Sequence, residues 1–248
     1  MIRHAQNLRT TILAVCSAGV LLGLSSPLVA ATSPGLDDEA PQFELFLDCD
    51  PPVANCPGQA TVTNVGSPSL DGQSLKISYL SGPPYMGVDA FHRFPANDGA
   101  TRFEVLYSFL YQNADAVQAL EFAMNQYIQN TRYEWAMQWE QFGPDGDGHP
   151  QWRLWTGSTW APIGFGDQLS PNTWYTIQID GDITTDSQGQ SQVHYMSFNI
   201  HGVQHDLDLA FAPHSSQGDQ LVAAVQLDGN GSPTPYDLFV DDAHFYWA

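Results

Sequence analysis

The residues best suited to chemistry are three glutamates in one stretch, residues 117–141, VQALEFAMNQYIQNTRYEWAMQWEQ. Glu121, Glu134 and Glu140 are the candidate catalytic groups. Two carboxyl groups about 5 Å apart can cleave a glycosidic bond, one as nucleophile and the other as acid/base. The stretch reads as two adjoining strands, and cross-strand neighbours come within about 5–8 Å of each other. Glu121 therefore has two potential partners, Glu134 and Glu140.

The period of two along a strand decides which side chains share a face. With Leu120, Phe122 and Met124 toward a core, Glu121, Ala123, Asn125 and Tyr127 point the other way. In the second strand Tyr133, Trp135, Met137 and Trp139 form the apolar set, leaving Glu134, Ala136, Gln138 and Glu140 outward. A turn near 129–131 sets Glu121 opposite Gln138 and Asn125 opposite Glu134. A third strand adds Arg153 and Trp155 to the same face when Trp152 and Leu154 are core. Glu121, Asn125, Tyr127, Glu134, Gln138, Arg153 and Trp155, with Trp160 as a further stacking platform, make a surface suited to a glycan. Sugar rings pack their apolar faces on aromatic planes, and their hydroxyls pair with amides, carboxylates and guanidinium groups. The same alternation marks the solvated side of any antiparallel sheet. A structural or adhesive surface protein without a glycan site is therefore the competing reading.

The rest of the chain repeats this grammar. Thirteen stretches rich in Val, Ile, Tyr, Phe and Trp, separated by Gly, Pro, Asn, Asp and Ser, read as strands. They are 43–47, 60–65, 74–80, 87–94, 102–111, 117–128, 132–141, 151–155, 174–179, 192–200, 206–211, 220–227 and 238–246. Residues 102–111 alternate cleanly, with Phe103, Val105, Tyr107, Phe109 and Tyr111 on one face. Helical periods are lacking, and at 114–120 the strand reading is the better one. The fold class is all-β, a two-sheet antiparallel sandwich, in a single domain from 42 to 248.

Arg3 and Arg9, an apolar run from about 11 to 24, and Val29-Ala30-Ala31 read as a signal peptide over residues 1–31, cut after Ala31. A lipoprotein cut before Cys16 is the alternative. Export to the extracellular space or periplasm is the expectation, with 32–41 (TSPGLDDEAP) as a flexible leader. The chain carries 7 basic and 27 acidic residues. Losing Arg3 and Arg9 leaves 5 against 27, a net charge of −22. That argues against nucleic acid and anionic membranes as partners, since both require a basic surface. Cys49 and Cys56, separated by six residues, read as a disulfide in an exported protein.

Several segments, taken in order, resemble the concanavalin A-like lectin/glucanase superfamily. Ser67-Pro68-Ser69-Leu70-Asp71-Gly72-Gln73-Ser74-Leu75 resembles its early turn into a strand, and Asn172-Thr173-Trp174-Tyr175 the start of a core-crossing strand. Tyr195-Met196-Ser197-Phe198-Asn199-Ile200-His201-Gly202 resembles the strand and Gly turn that follow, and Tyr236-Asp237-Leu238-Phe239-Val240-Asp241-Asp242-Ala243 the closing strand. The resemblance spans roughly residues 43–247. It implies a jelly roll that binds polysaccharide on a concave face. Laminarinase-like members carry Glu-x-Asp-x-Glu where this chain has Glu121, Ala123 and Asn125. Asn cannot donate a titratable proton, so the resemblance implies binding before hydrolysis. It also implies no required cofactor and a structural calcium ion at Asp241 and Asp242, aided by Glu44 or Asp48.

Three further chemistries are open. Lyases on such jelly rolls use a His/Tyr pair, and His92, His194, His201 and His205 with Tyr175 and Tyr195 are available, but five basic residues make a poor groove for uronates. His201-Gly202-Val203-Gln204-His205 reads as a turn and lacks a third zinc ligand. Asp145-Gly146-Asp147-Gly148 begins like a calcium loop without its downstream ligands. Asn230-Gly231-Ser232-Pro233 reads as a plain turn.

Overall fold

The computed structural model describes residues 31–248 except 50, 51, 53, 54, 143–147, 167, 219 and 233. The expected signal peptide, apart from Ala31, lies outside the described residues, as does most of the acidic 145–148 segment. No described helix is long and apolar enough to cross a membrane.

Sixteen strands are described. The first eight are β1 Ala31–Pro34, β2 Phe43–Asp48, β3 Gln59–Val65, β4 Ser74–Ser81, β5 Gly87–Pro95, β6 Arg102–Tyr111, β7 Val117–Ile128 and β8 Thr131–Glu140. The rest are β9 Gln151–Trp155, β10 Trp160–Pro162, β11 Tyr175–Thr185, β12 Ser191–Ile200, β13 Val203–Phe211, β14 His214–Ser215, β15 Gln220–Gly229 and β16 Tyr236–Trp247. They form two antiparallel sheets, in the orders β13-β12-β11-β6-β16-β4-β3 and β10-β9-β8-β7-β15-β5-β2, with β1 added at β16 and β14 at β8. The all-β sandwich read from the sequence is the architecture found.

The inner faces meet in one aromatic core. Trp135, Trp139 and Trp152 of the second sheet pack with Phe103, Phe109, Tyr195 and Phe198 of the first, all fully buried. The apolar set of β7 and β8 lies inward as period two requires. β8 pairs β7 with Glu121 opposite Gln138 and Asn125 opposite Glu134, the expected register. The turn between them holds Gln129 and Asn130 at positive φ, the backbone that tight hairpins need.

Three local expectations change. Residues 32–41 are not a free leader: β1 pairs the closing strand, with Ala31 opposite Trp247, and Leu36, Asp37 and Ala40 are buried. The Asp37 carboxylate accepts a hydrogen bond from the Ala243 N–H at 2.9 Å, which fastens the segment to β16. The turn expected across 201–205 closes within His201-Gly202, and Val203 already begins β13. β10 and β14, two short strands, carried too few residues to show a period. Cys49 and Cys56 form the expected disulfide, with Cα atoms 5.5 Å apart.

Candidate functional site

The outer face of the second sheet carries a hollow of about 350 Å³ with polar walls. Its border runs from Phe46 and Asp48 on β2 to Trp160 on β10. Six strand spacings separate those two strands, about 29 Å along a flat sheet at ~4.8 Å each. The hollow is a groove crossing the strands.

Its floor is made of small residues. Ala123, Ala136 and Ala224 occupy neighbouring strands, with Val222 beside them, and Phe91, Tyr127, Trp155 and Trp160 pack around the four. Ala224 is opposite Ala123, and Ala123 is opposite Ala136. Larger side chains on either side of this alanine row therefore stand up as walls. The floor is held from beneath by two tyrosines of the first sheet. The Tyr107 hydroxyl lies 3.2 Å from the Ala123 carbonyl and 3.3 Å from that of Ala224. The Tyr195 hydroxyl accepts from the Ala136 N–H at 2.9 Å and donates to the Trp155 carbonyl at 2.8 Å.

One wall is a row of polar groups: Asp89 on β5, Gln226 on β15, Glu121 on β7, Gln138 on β8 and Arg153 on β9, each opposite the next. Within it, Gln138 is an internal link. Its carbonyl oxygen accepts from Arg153 Nε at 2.6 Å and its amide donates to Asp228 at 3.3 Å. Arg153 also pairs with Glu140 at 2.8 Å and lies under the Trp160 ring, 5.5 Å from its centroid. On the other side of the floor Arg132 grips Glu134 and donates to Asn125 Oδ1 at 2.7 Å. His214 stands 4.0 Å from Glu134.

Asp48, Asp89 and Glu121 differ from these. Among the described residues none of the three carboxylates accepts a hydrogen bond or forms an ion pair, and all three border the groove. Burial, then the nearby carboxyls of Glu134, Asp228 and Asp89, pushes Glu121 well above the ordinary carboxylate range. Asp89 is pushed up to about 7, chiefly by burial and against the pull of Arg132. Burial also raises Asp228 to about 6 and Glu140 to about 7, the latter opposed by Arg153. Burial raises Glu134 too, with Arg132 opposing.

Of the residues expected to face a glycan, Glu121, Glu134, Trp155 and Trp160 border the groove. Asn125 and Gln138, both nearly inaccessible, brace charged neighbours instead, as Arg153 does, and Tyr127 packs against Arg132. Phe46, Asp89, Arg132, His214, Ala224 and Gln226 were not singled out by sequence reasoning, and Asp48 was expected only beside calcium. The alternation Asp89, Phe91, Arg93 in β5 was a visible signal, but nothing local showed that β5 and β15 join β7.

The other candidate chemistries disperse. Tyr195 is in the core, His92 lies beside Glu39 at 3.0 Å, and His205 stacks on Phe165. His194 sits between Asp182 and Asp208 on the other sheet. Asp241 is buried and its carboxylate accepts backbone N–H bonds from Leu70 and Asp242, whereas Asp242 points to solvent. The two carboxylates diverge. Among the described residues no group of three or more His, Cys, Asp or Glu is placed to hold a metal ion.

No protein-family model matches the chain, and no curated protein matches it. Among solved structures, alginate lyase Aly36B is 14% identical with a TM-score of 0.47, over 77% of this chain and 86% of that one. The marine PL-14 alginate lyase from Aplysia kurodai is 10% identical with a TM-score of 0.49, over 75% and 86%. The cellulose induced protein Cip1 is 10% identical with a TM-score of 0.48, over 87% and 96%. Likeness at this level assigns neither substrate nor activity to this chain.

Proposed function

We propose that this chain is an exported carbohydrate-binding sandwich of the concanavalin A-like type that holds a polysaccharide in the groove across its second sheet. The observation that carries the reading is the groove's lining. Trp155 and Trp160 at one end and Phe46 at the other offer apolar planes, while Glu121, Asp89 and Gln226 offer polar groups between them. A sugar chain presents the complementary alternation of ring faces and hydroxyls. The groove crosses strands and reaches both edges of the sheet, which suits an extended chain. The test is retention of the pure protein on a panel of insoluble polysaccharides. Wild type should be retained on at least one and Trp155→Ala should not; a panel with no retention overturns the reading.

A second reading, glycoside hydrolysis, is favoured by one observation: Glu121, which burial pushes well above the ordinary carboxylate range, shares its row with Asp89, a second carboxyl unpartnered among the described residues. One residue lies between them, so their backbones are roughly 10 Å apart at two strand spacings. Inverting enzymes place their carboxyls about 6.5–9.5 Å apart. Release of reducing ends by wild type and not by Glu121→Gln would establish it.

A further inference from the structure

The carboxyl groups around the groove outnumber the guanidinium groups that pair with them. Arg132 is spent on Glu134, and Arg93 on Glu44 at 2.7 Å. Arg153 is spent on Glu140. This leaves Asp48 from β2, Asp89 from β5 and Glu121 from β7 bordering one hollow, with no ion-pair partner among the described residues. Asp228 on β15 adds a fourth negative group nearby, and His214 on β14 is held toward its neutral form by burial and by Arg132. A neutral ligand leaves these carboxyls facing one another, and an anionic one adds to the conflict. A ligand carrying ammonium groups on a sugar frame relieves it, because each ammonium offers three donors to carboxylates that have none. The aromatic ends favour a sugar frame, whose apolar ring faces can lie on Trp155, Trp160 or Phe46.

Resting on the glycan reading above, we infer that the groove selects an amine-bearing glycan, a polymer of glucosamine type, whose ammonium groups are taken by Asp89 and Glu121. The raised carboxyls give this a second signature. Burial pushes Asp89 up to about 7 and Glu121 upward as well, and an arriving ammonium favours their anionic forms, so binding releases protons. Affinity accordingly rises with pH until the amine itself loses its proton.

The experiment is calorimetric titration of the full protein at pH 6 with four probes: a glucosamine oligomer, its fully N-acetylated counterpart, a uronate oligomer and spermine. The glucosamine oligomer is run in two buffers of different ionisation heat to count protons. The expected result is binding of the glucosamine oligomer at least tenfold tighter than its N-acetylated form, with proton release. Glu121→Gln and, independently, Asp89→Asn should erase most of that difference. Asp206→Asn, which removes the same charge from exposed β13 of the other sheet, should keep it. Equal or tighter binding of the N-acetylated or uronate oligomer overturns the amine assignment and leaves the glycan reading standing. Spermine binding as tightly as the glucosamine oligomer, with Trp155→Ala without effect, overturns both; binding of no probe overturns the amine assignment, and the polysaccharide panel decides the glycan reading.

Discussion

Asp89 and Glu121 stand on either side of Gln226 in a single row across three paired strands, each without a hydrogen-bond partner among the described residues. With Asp48 at the β2 end they are the unengaged carboxyls of the groove, and the alanine row gives it depth.

Trp155 and Trp160 pack as a tilted pair with ring centroids 5.3 Å apart. Trp155→Ala and Trp160→Ala should each weaken glycan retention by about tenfold or more, since covering one large side chain contributes about 1.5–3 kcal/mol and ~1.4 kcal/mol is tenfold in affinity. Affinity electrophoresis in a gel containing the retained polysaccharide checks this.

Filling the floor separates binding from folding. Ala224 points into the hollow and is 8% exposed, so Ala224→Leu places three extra carbons in the groove rather than in the core. Urea unfolding should shift by less than about 1 kcal/mol, well under the ~1–3 kcal/mol typical of core overpacking, while retention is lost.

The Arg132–Glu134 pair is half-open at one partner: the Arg132 side chain is 29% exposed and that of Glu134 9%. Arg132→Met should destabilise by about 2 kcal/mol, below the ~3–5 kcal/mol of a fully buried broken pair. Arg132→Met with Glu134→Gln should recover part of the loss in the same denaturation assay. A double variant no more stable than the single one would deny that the unpaired carboxylate is the cause.

Stability should fall as pH rises. Asp89 and Glu140, at about 7, and Asp37 and Asp228, at about 6, hold protons in the folded state that the unfolded chain has already released. The folded state therefore binds more protons between about pH 4 and pH 7, and the unfolding free energy declines through that window. Melting temperature should be higher at pH 5 than at pH 8, and Asp89→Asn should flatten the difference.

At Gly181, on a bulge of β11, a Cβ would run into the Trp135 indole, whose Nε1–H donates to the His194 carbonyl at 2.9 Å. Gly181→Ala should cost about 1–3 kcal/mol, the range for overpacking a rigid core, measured by chemical denaturation.

Much of the sandwich was legible because its strands alternate. Phe122 and Met124 inward force Glu121 and Ala123 outward, and a short turn then fixes Gln138 and Glu134 opposite their partners. Half of the groove was not legible, for a different physical reason. Asp89 and Gln226 reach Glu121 only because β15 pairs both β5 and β7, and that pairing is a long-range choice made by the whole core. Local pattern also says nothing about how an outward side chain is spent. Asn125 and Gln138 read as recognition groups, yet each satisfies an arginine instead. The residues left over for a ligand are those whose neighbours chose other partners.

The two tyrosine hydroxyls beneath the alanine floor tie the groove's backbone to the opposite sheet. The Ala136 N–H is held by the Tyr195 hydroxyl in the centre of the sandwich, so its hydrogen exchange should be among the slowest in the second sheet. The groove thus has no failure mode of its own. Loss of the groove should accompany loss of the sandwich core rather than precede it.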